Sequence, residues 1–307
     1  MSQDPASSVD SSPQASTRPG RARAFIDILR PLNCVMTGVG IAIGSIVAGG
    51  SDVAEPQNLV SVLLAALVGF LAAGGGNTLN DYVDALGDKI NHPLRPIPSG
   101  SISRESAKFY SGVLFLSAFL VSFLVSPFCV LIAGINIGLM ILYELKLKQK
   151  GFVGNLCISW LTGSVFLFGG AALYTDSIQE AHQSSAVLAT LVLSLLAFLS
   201  SAGREIIKDI EDMEGDKDRL TLPMKLGKEK AATLARVFIL MAVLLSPLPY
   251  EPFQLFTWVY LLVVIPADIL FLMVMSSILS DPTSSQKMAK KAMFVALLAF
   301  FIGGSLA

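Results

Sequence analysis

Long apolar segments recur along the chain with few interruptions. Nine runs of roughly 18–25 residues stand out, each long enough to cross a bilayer as a helix. They fall at 25–49, 57–80, 107–125, 127–145, 153–174, 184–206, 231–248, 254–279 and 288–306. The runs are continuous rather than alternating. A helix satisfies its backbone hydrogen bonds within the segment, so the pattern predicts helices and not a barrel. Only Ser126 and Pro127 mark the break between the third and fourth runs. The expected fold class is an all-α, polytopic membrane protein with nine transmembrane helices.

Residues 1–22 break the pattern. They are rich in Ser, Pro, Gln and Ala and lack an apolar h-region, so they do not read as a cleavable signal peptide. They read as a disordered tail, which leaves 23–307 as the membrane domain.

Composition agrees with the segments. Of 307 residues, 53% are hydrophobic and 15% charged, against about a quarter charged in a soluble domain. Mean hydropathy is +0.66. A disordered chain, a disulfide scaffold and an ordinary soluble globule are excluded. The net charge of −1 gives no electrostatic footprint for nucleic acid. Cys34, Cys129 and Cys157 lie inside apolar runs, with neither a disulfide framework nor zinc spacing.

The charges are sorted by side. All 22 Lys and Arg lie in or next to the N-terminal tail and the connections near 81–106, 146–152, 207–230 and 280–291. The opposite connections carry Asp52, Glu55, Asp176, Glu180 and Glu251. The positive-inside rule makes the basic side cytoplasmic, with the N-terminus inside and the C-terminus outside.

On that same side stand two acidic ladders. Asp81, Asp84 and Asp88 close the second run, and Asp209, Asp212 and Asp216 follow the sixth. The i, i+3, i+7 spacing puts each trio on one helix face. Asn77 and Glu205 lie one turn earlier on the same faces. Small residues precede both ladders, Gly74-Gly75-Gly76 and Ser200-Ser201-Ala202-Gly203, where neighbouring helices can approach closely. An even number of crossings separates the ladders, so the halves read as a parallel repeat. Six carboxylates at two helix ends repel one another strongly in low dielectric. Mg²⁺ answers that repulsion, taking a few carboxylates plus substrate phosphates. The expected occupant is a Mg²⁺-bound diphosphate, with all six acids as ligands and Asp84, Asp88, Asp209 and Asp212 as the catalytic carboxylates.

Cations flank the ladders: Lys89, Arg95, Lys146, Lys148, Arg204 and Lys208. They suit a diphosphate and its leaving charge, though positive-inside topology alone also places cations here. Arg95, Lys146, Arg204 and Lys208 are taken as substrate-binding, with Tyr143 one turn before Lys146. Arg30 opens the first run in Arg30-Pro31-Leu32-Asn33. Asn33 lies inside an apolar stretch, where an amide without a partner is costly, so it is expected to meet substrate. Asp268 is the acid deep in an apolar run. Intramembrane acids are functional suspects, and a hydrogen bond to another helix is the structural alternative.

The two ladders resemble those of the UbiA superfamily of intramembrane prenyltransferases. The matching residues are Asn80-Asp81…Asp84…Asp88 and Asp209…Asp212…Asp216. The stretch Asn91-His92-Pro93-Leu94-Arg95-Pro96-Ile97-Pro98-Ser99-Gly100 resembles the family's segment after its first motif. Tyr143…Leu145-Lys146…Gly151…Gly154-Asn155 resembles its segment after the fourth span. The resemblance covers about residues 25–306. It implies nine helices around a lipid-open central cavity, an active site on the cytoplasmic side of the cell membrane, and Asn77, Asn80 and Arg30 at the substrate.

Within the superfamily, three stretches look most like the archaeal digeranylgeranylglyceryl phosphate synthase branch. They are Arg30-Pro31-Leu32-Asn33, Leu161-Thr162-Gly163…Phe166-Leu167-Phe168-Gly169-Gly170 and Arg204-Glu205-Ile206-Ile207-Lys208-Asp209-Ile210-Glu211-Asp212. That branch implies Mg²⁺-dependent transfer of a geranylgeranyl group from geranylgeranyl diphosphate to the free hydroxyl of geranylgeranylglyceryl phosphate, among membrane lipids. An aromatic or tetrapyrrole acceptor is the alternative within the superfamily. An ion transporter is the alternative of another class; the ladders sit at helix ends rather than at the midplane, which argues against it.

Overall fold

The computed structural model describes residues 20–174, 180–213 and 220–306. Residues 1–19 of the expected tail, with Asp176, Asp216 and the rest of 214–219, lie outside the described residues.

The described residues form eleven α-helices and no strand. Nine have at least 18 residues and coincide with the nine apolar runs: α2 (Pro31–Gly49), α3 (Pro56–Asn91), α4 (Arg104–Ser122), α5 (Pro127–Leu145), α6 (Phe152–Ala172), α7 (Glu180–Asp212), α9 (Lys228–Leu245), α10 (Val259–Ser277) and α11 (Pro282–Ser305). Two short helices, α1 (Arg21–Asp27) and α8 (Leu222–Leu226), were not expected. Because α1 starts at Arg21, helical structure begins two residues before the expected edge of the tail. Seven of the long helices are apolar and long enough to cross a membrane. The other two, α4 and α9, open with charged turns, Arg104-Glu105 and Lys228-Glu229-Lys230, that lower their mean hydropathy.

Local sequence sets the helix starts. Pro occupies the first turn of α2, α3, α5 and α11, where its missing N–H costs nothing. Ser103, Ser126 and Asp281 cap α4, α5 and α11, each accepting from a backbone N–H three residues on. Large apolar side chains such as Leu63, Phe109 and Leu262 point outward and are exposed, as a lipid-facing surface requires.

The packing order repeats. In the first half α2 packs on α3, α3 on α4 and α4 on α5. In the second α6 packs on α7, α7 on α9 and α9 on α10. The halves meet where α2 crosses α6. A Cβ on Gly44 would stand 2.6 Å from the Phe166 carbonyl oxygen, so only glycine permits that approach. The two longest helices are α3, of 36 residues, and α7, of 33. At 1.5 Å per residue they run about 50 Å, well beyond a hydrocarbon core of about 30 Å. Towards their C-terminal ends α3 carries Asp81, Asp84 and Asp88, and α7 carries Asp209 and Asp212.

Candidate active site

The two ladder ends open onto one cavity of about 1810 Å³. Its lining is polar at the ladders and apolar elsewhere, with residues such as Ile41, Val68, Phe168 and Leu196.

The first ladder is held by cations from three directions. Arg30 precedes α2 in the left-handed backbone region, with φ of 54°, an unusual conformation for a residue with a side chain. That turn carries its guanidinium to the Asp81 carboxylate and to the side-chain amide oxygen of Asn80, Oδ1, at 3.3 Å. Arg95 returns from the loop after α3 and donates to Asp88 at 2.6 Å, with Asp81 at 3.6 Å. Lys148 donates to Asp84 at 2.5 Å and to Glu144 at 3.3 Å. The Asn80 amide donates to Asp84 at 3.1 Å and to both Glu144 oxygens. The three acids therefore differ. Asp84 and Asp88 line the cavity, whereas Asp81 is buried outside its lining and fastens Arg30 and Arg95.

The second ladder divides in the same way. Asp212 lines the cavity. Asp209, one turn earlier, is buried and accepts from the Asn155 amide of α6 at 2.8 Å. Asp216 lies outside the described residues. Arg204 and Lys208 line the cavity, and Arg204 pairs with Glu205.

Other expected residues take these places. Asn33, Asn77, Asn80 and Tyr143 line the cavity. Asn77 donates to the Leu29 carbonyl oxygen at 2.7 Å, tying α3 to the turn before α2. The Asn33 side chain has no hydrogen bond among the described residues, and it faces the cavity rather than packed protein. Lys146 is not brought to the site. It is exposed and absent from the lining, and Lys148 is there instead. The reason is local: α5 ends at Leu145, Lys146 is non-helical, and a short 3₁₀ turn over 147–150 redirects the chain. Asp268 lines the apolar part of the cavity and accepts from Ser246 at 2.6 Å, so it has a helix-to-helix partner as well as cavity access.

A pair of carboxylate ladders flanked by cations at the polar end of an otherwise apolar cavity suits an amphiphile with an anionic head. The UbiA prenyltransferase family matches residues 38–298. The chain belongs to this family. It is an all-α, multi-pass membrane prenyltransferase.

Among UbiA relatives, the digeranylgeranylglyceryl phosphate synthase of Methanosarcina mazei is 41% identical over 293 residues, covering 92% of this chain and 98% of that protein. The synthase of the same name from Natronomonas pharaonis is 40% identical over 285 residues, covering 92% and 97%. A solved structure concerned with digeranylgeranylglyceryl phosphate synthase in membranes superposes with a TM-score of 0.77 at 34% identity, over 93% of this chain and 99% of that one. A UbiA homologue from Archaeoglobus fulgidus bound to GPP and Mg²⁺ shares the fold, with a TM-score of 0.61 at 16% identity, over 91% and 98%.

Three residues that pair with the ladder motifs were not singled out from the sequence: Glu144 went unnamed, Lys148 stood only among the flanking cations, and Asn155 only within a stretch of the family resemblance. Lys148 was obscured because a helical register does not continue past the end of α5, whereas Glu144 lies on α5 itself, and its partner Asn80 is 64 positions away. Asn155 carried a faint signal, an amide in an apolar run, but its partner Asp209 lies 54 positions away.

Proposed function

We propose that this chain transfers a geranylgeranyl group from geranylgeranyl diphosphate to the free hydroxyl of geranylgeranylglyceryl phosphate, a step in ether-lipid synthesis. The observation that carries the reading is the single cavity shared by the ladder ends of α3 and α7, polar there and apolar beyond. Relatives at about 40% identity over almost their whole length carry the name of that synthase, which supports this acceptor.

The donor's diphosphate lies at the ladders, with its chain in the apolar part. Among the described residues no group of three His, Cys, Asp or Glu is placed to hold a metal ion. The donor set nevertheless fits Mg²⁺. Asp84, Asp88 and Asp212 offer hard oxygens to the cavity, and Mg²⁺ usually combines one or two carboxylates with phosphate oxygens and water. When bound, Mg²⁺ supplies positive charge to the diphosphate.

The protein's own groups do the rest. Arg30, Arg95 and Lys148 stabilise negative charge that grows on the leaving diphosphate as the allylic C1–O bond breaks. Asp81 and Asp209, buried behind the wall, hold Arg30, Arg95 and α6 in position. The apolar walls keep water from the allylic cation while the acceptor hydroxyl forms the new C1–O ether bond; diphosphate and a proton are released. The basic ends of the helices support a site on the cytoplasmic side of the cell membrane, in a chain read as crossing nine times with its N-terminus inside.

The test offers purified chain, Mg²⁺ and geranylgeranyl diphosphate two acceptors, geranylgeranylglyceryl phosphate and an aromatic acid. The expected product is digeranylgeranylglyceryl phosphate, identified by mass. Product from the aromatic acid alone would overturn the assignment.

A further inference from the structure

The cavity holds a second group of cations, on α7 and α11. Arg204 and Lys208 lie one turn apart on α7, and α11, which packs against α7, brings Lys290 to them. All three line the cavity. Lys290 lies within electrostatic range of Arg204, Lys208, Glu205 and Glu211. Glu205 is turned onto Arg204, and Glu211 does not line the cavity. Asp212 is the α7 acid that does. Neither Lys208 nor Lys290 forms an ion pair among the described residues. The Nε of Arg204 is buried with no hydrogen-bond partner among them. This differs from the first half, where Arg30, Arg95 and Lys148 each hold an acid of the ladder.

An apolar path leads away from these cations. Met293 and Leu297, on the next two turns of α11, line the cavity with Val264 and Phe271 of α10. The volume of about 1810 Å³ exceeds the roughly 300–1,000 Å³ that serves one drug-sized ligand, so two prenyl chains have room. A transfer between two phosphate-bearing amphiphiles must hold two anions at once, and these repel strongly at low dielectric. Two separate cation groups meet that requirement.

We propose that Lys290, with Lys208 and Arg204, binds the phosphate monoester of the acceptor, leaving Arg30, Arg95 and Lys148 to the donor diphosphate. This assignment rests on the proposed function, which supplies a phosphorylated acceptor. Lys290 is then the residue that selects an acceptor with a dianionic head.

The experiment measures both substrates' KM with full-length chain in nanodiscs and Mg²⁺. K290Q is expected to raise the KM for geranylgeranylglyceryl phosphate by about tenfold to a hundredfold, the size of a lost charge-assisted hydrogen bond, and the donor KM by less than about twofold. K208Q, on the other helix, should move the same acceptor KM. K148Q should show the opposite split, and K290R should retain the low acceptor KM. An acceptor KM that stays at the wild-type value in both K290Q and K208Q overturns the assignment. So does a donor KM that rises as far as the acceptor's in K290Q. Failure of the proposed function reads differently: the wild-type chain itself makes no product from the phosphorylated acceptor, and the Lys290 assignment falls with it.

Discussion

Asp81 and Asp84 sit three residues apart in one motif, and the structure gives them different work. The Asp81 side chain is 3% exposed, pairs with Arg30 and has Arg95 at 3.6 Å. Changing it to Asn removes the charge while keeping the shape, so no cavity cost is added. Breaking a fully buried ion pair by removing one partner costs about 3–5 kcal/mol. Arg30 and Arg95 are each about a third open to solvent, at 33% and 30%. Water compensates part of the loss, which leaves roughly 2–3 kcal/mol for D81N. The Asp84 side chain is 35% exposed, and the same change there should cost less than about 1 kcal/mol. In a chain of this size the D81N loss lowers the unfolding midpoint by roughly 3–5 °C. Thermal unfolding of both variants in one detergent, followed by size-exclusion of the surviving fraction, measures the difference. Equal midpoints for D81N and D84N would refute the division between a buried holding carboxylate and a cavity carboxylate.

Two further outcomes follow from particular contacts. K148Q should lower kcat/KM by about tenfold or more, because it removes a cation that reaches the cavity, whereas K146Q should stay within about twofold; steady-state kinetics on the two variants decides it. G44A should lower the unfolding midpoint through a loss of about 1–3 kcal/mol, since its Cβ meets backbone atoms of Phe166 that cannot turn aside; an unchanged midpoint would contradict the close crossing of α2 and α6.

Much of this was legible in the sequence. Membrane helices are long and continuously apolar, so the nine runs found the nine long helices despite the weak break at Ser126-Pro127. The ladders were legible because a spacing of three and four on a long helix fixes a face. That spacing says nothing about which member of the trio points inward, which depends on the neighbours of α3; here Arg30 and Arg95 close over Asp81. Lys146 and Lys148 show where periodicity stops: one and three residues beyond the end of α5, the backbone turn decides. Lys290 was hidden for another reason. A lysine near a basic helix end looks like a topology residue, and only the packing of α11 on α7 brings it to the cavity.

The central claim is one site built from both halves of the chain. Turnover of geranylgeranyl diphosphate by D84A and by D212A tests it most directly, with each protein first shown to elute as the wild type does. Both should lose turnover by at least about a hundredfold, since each removes an oxygen donor at the diphosphate. Full activity in either variant would contradict a site shared between the two ladders.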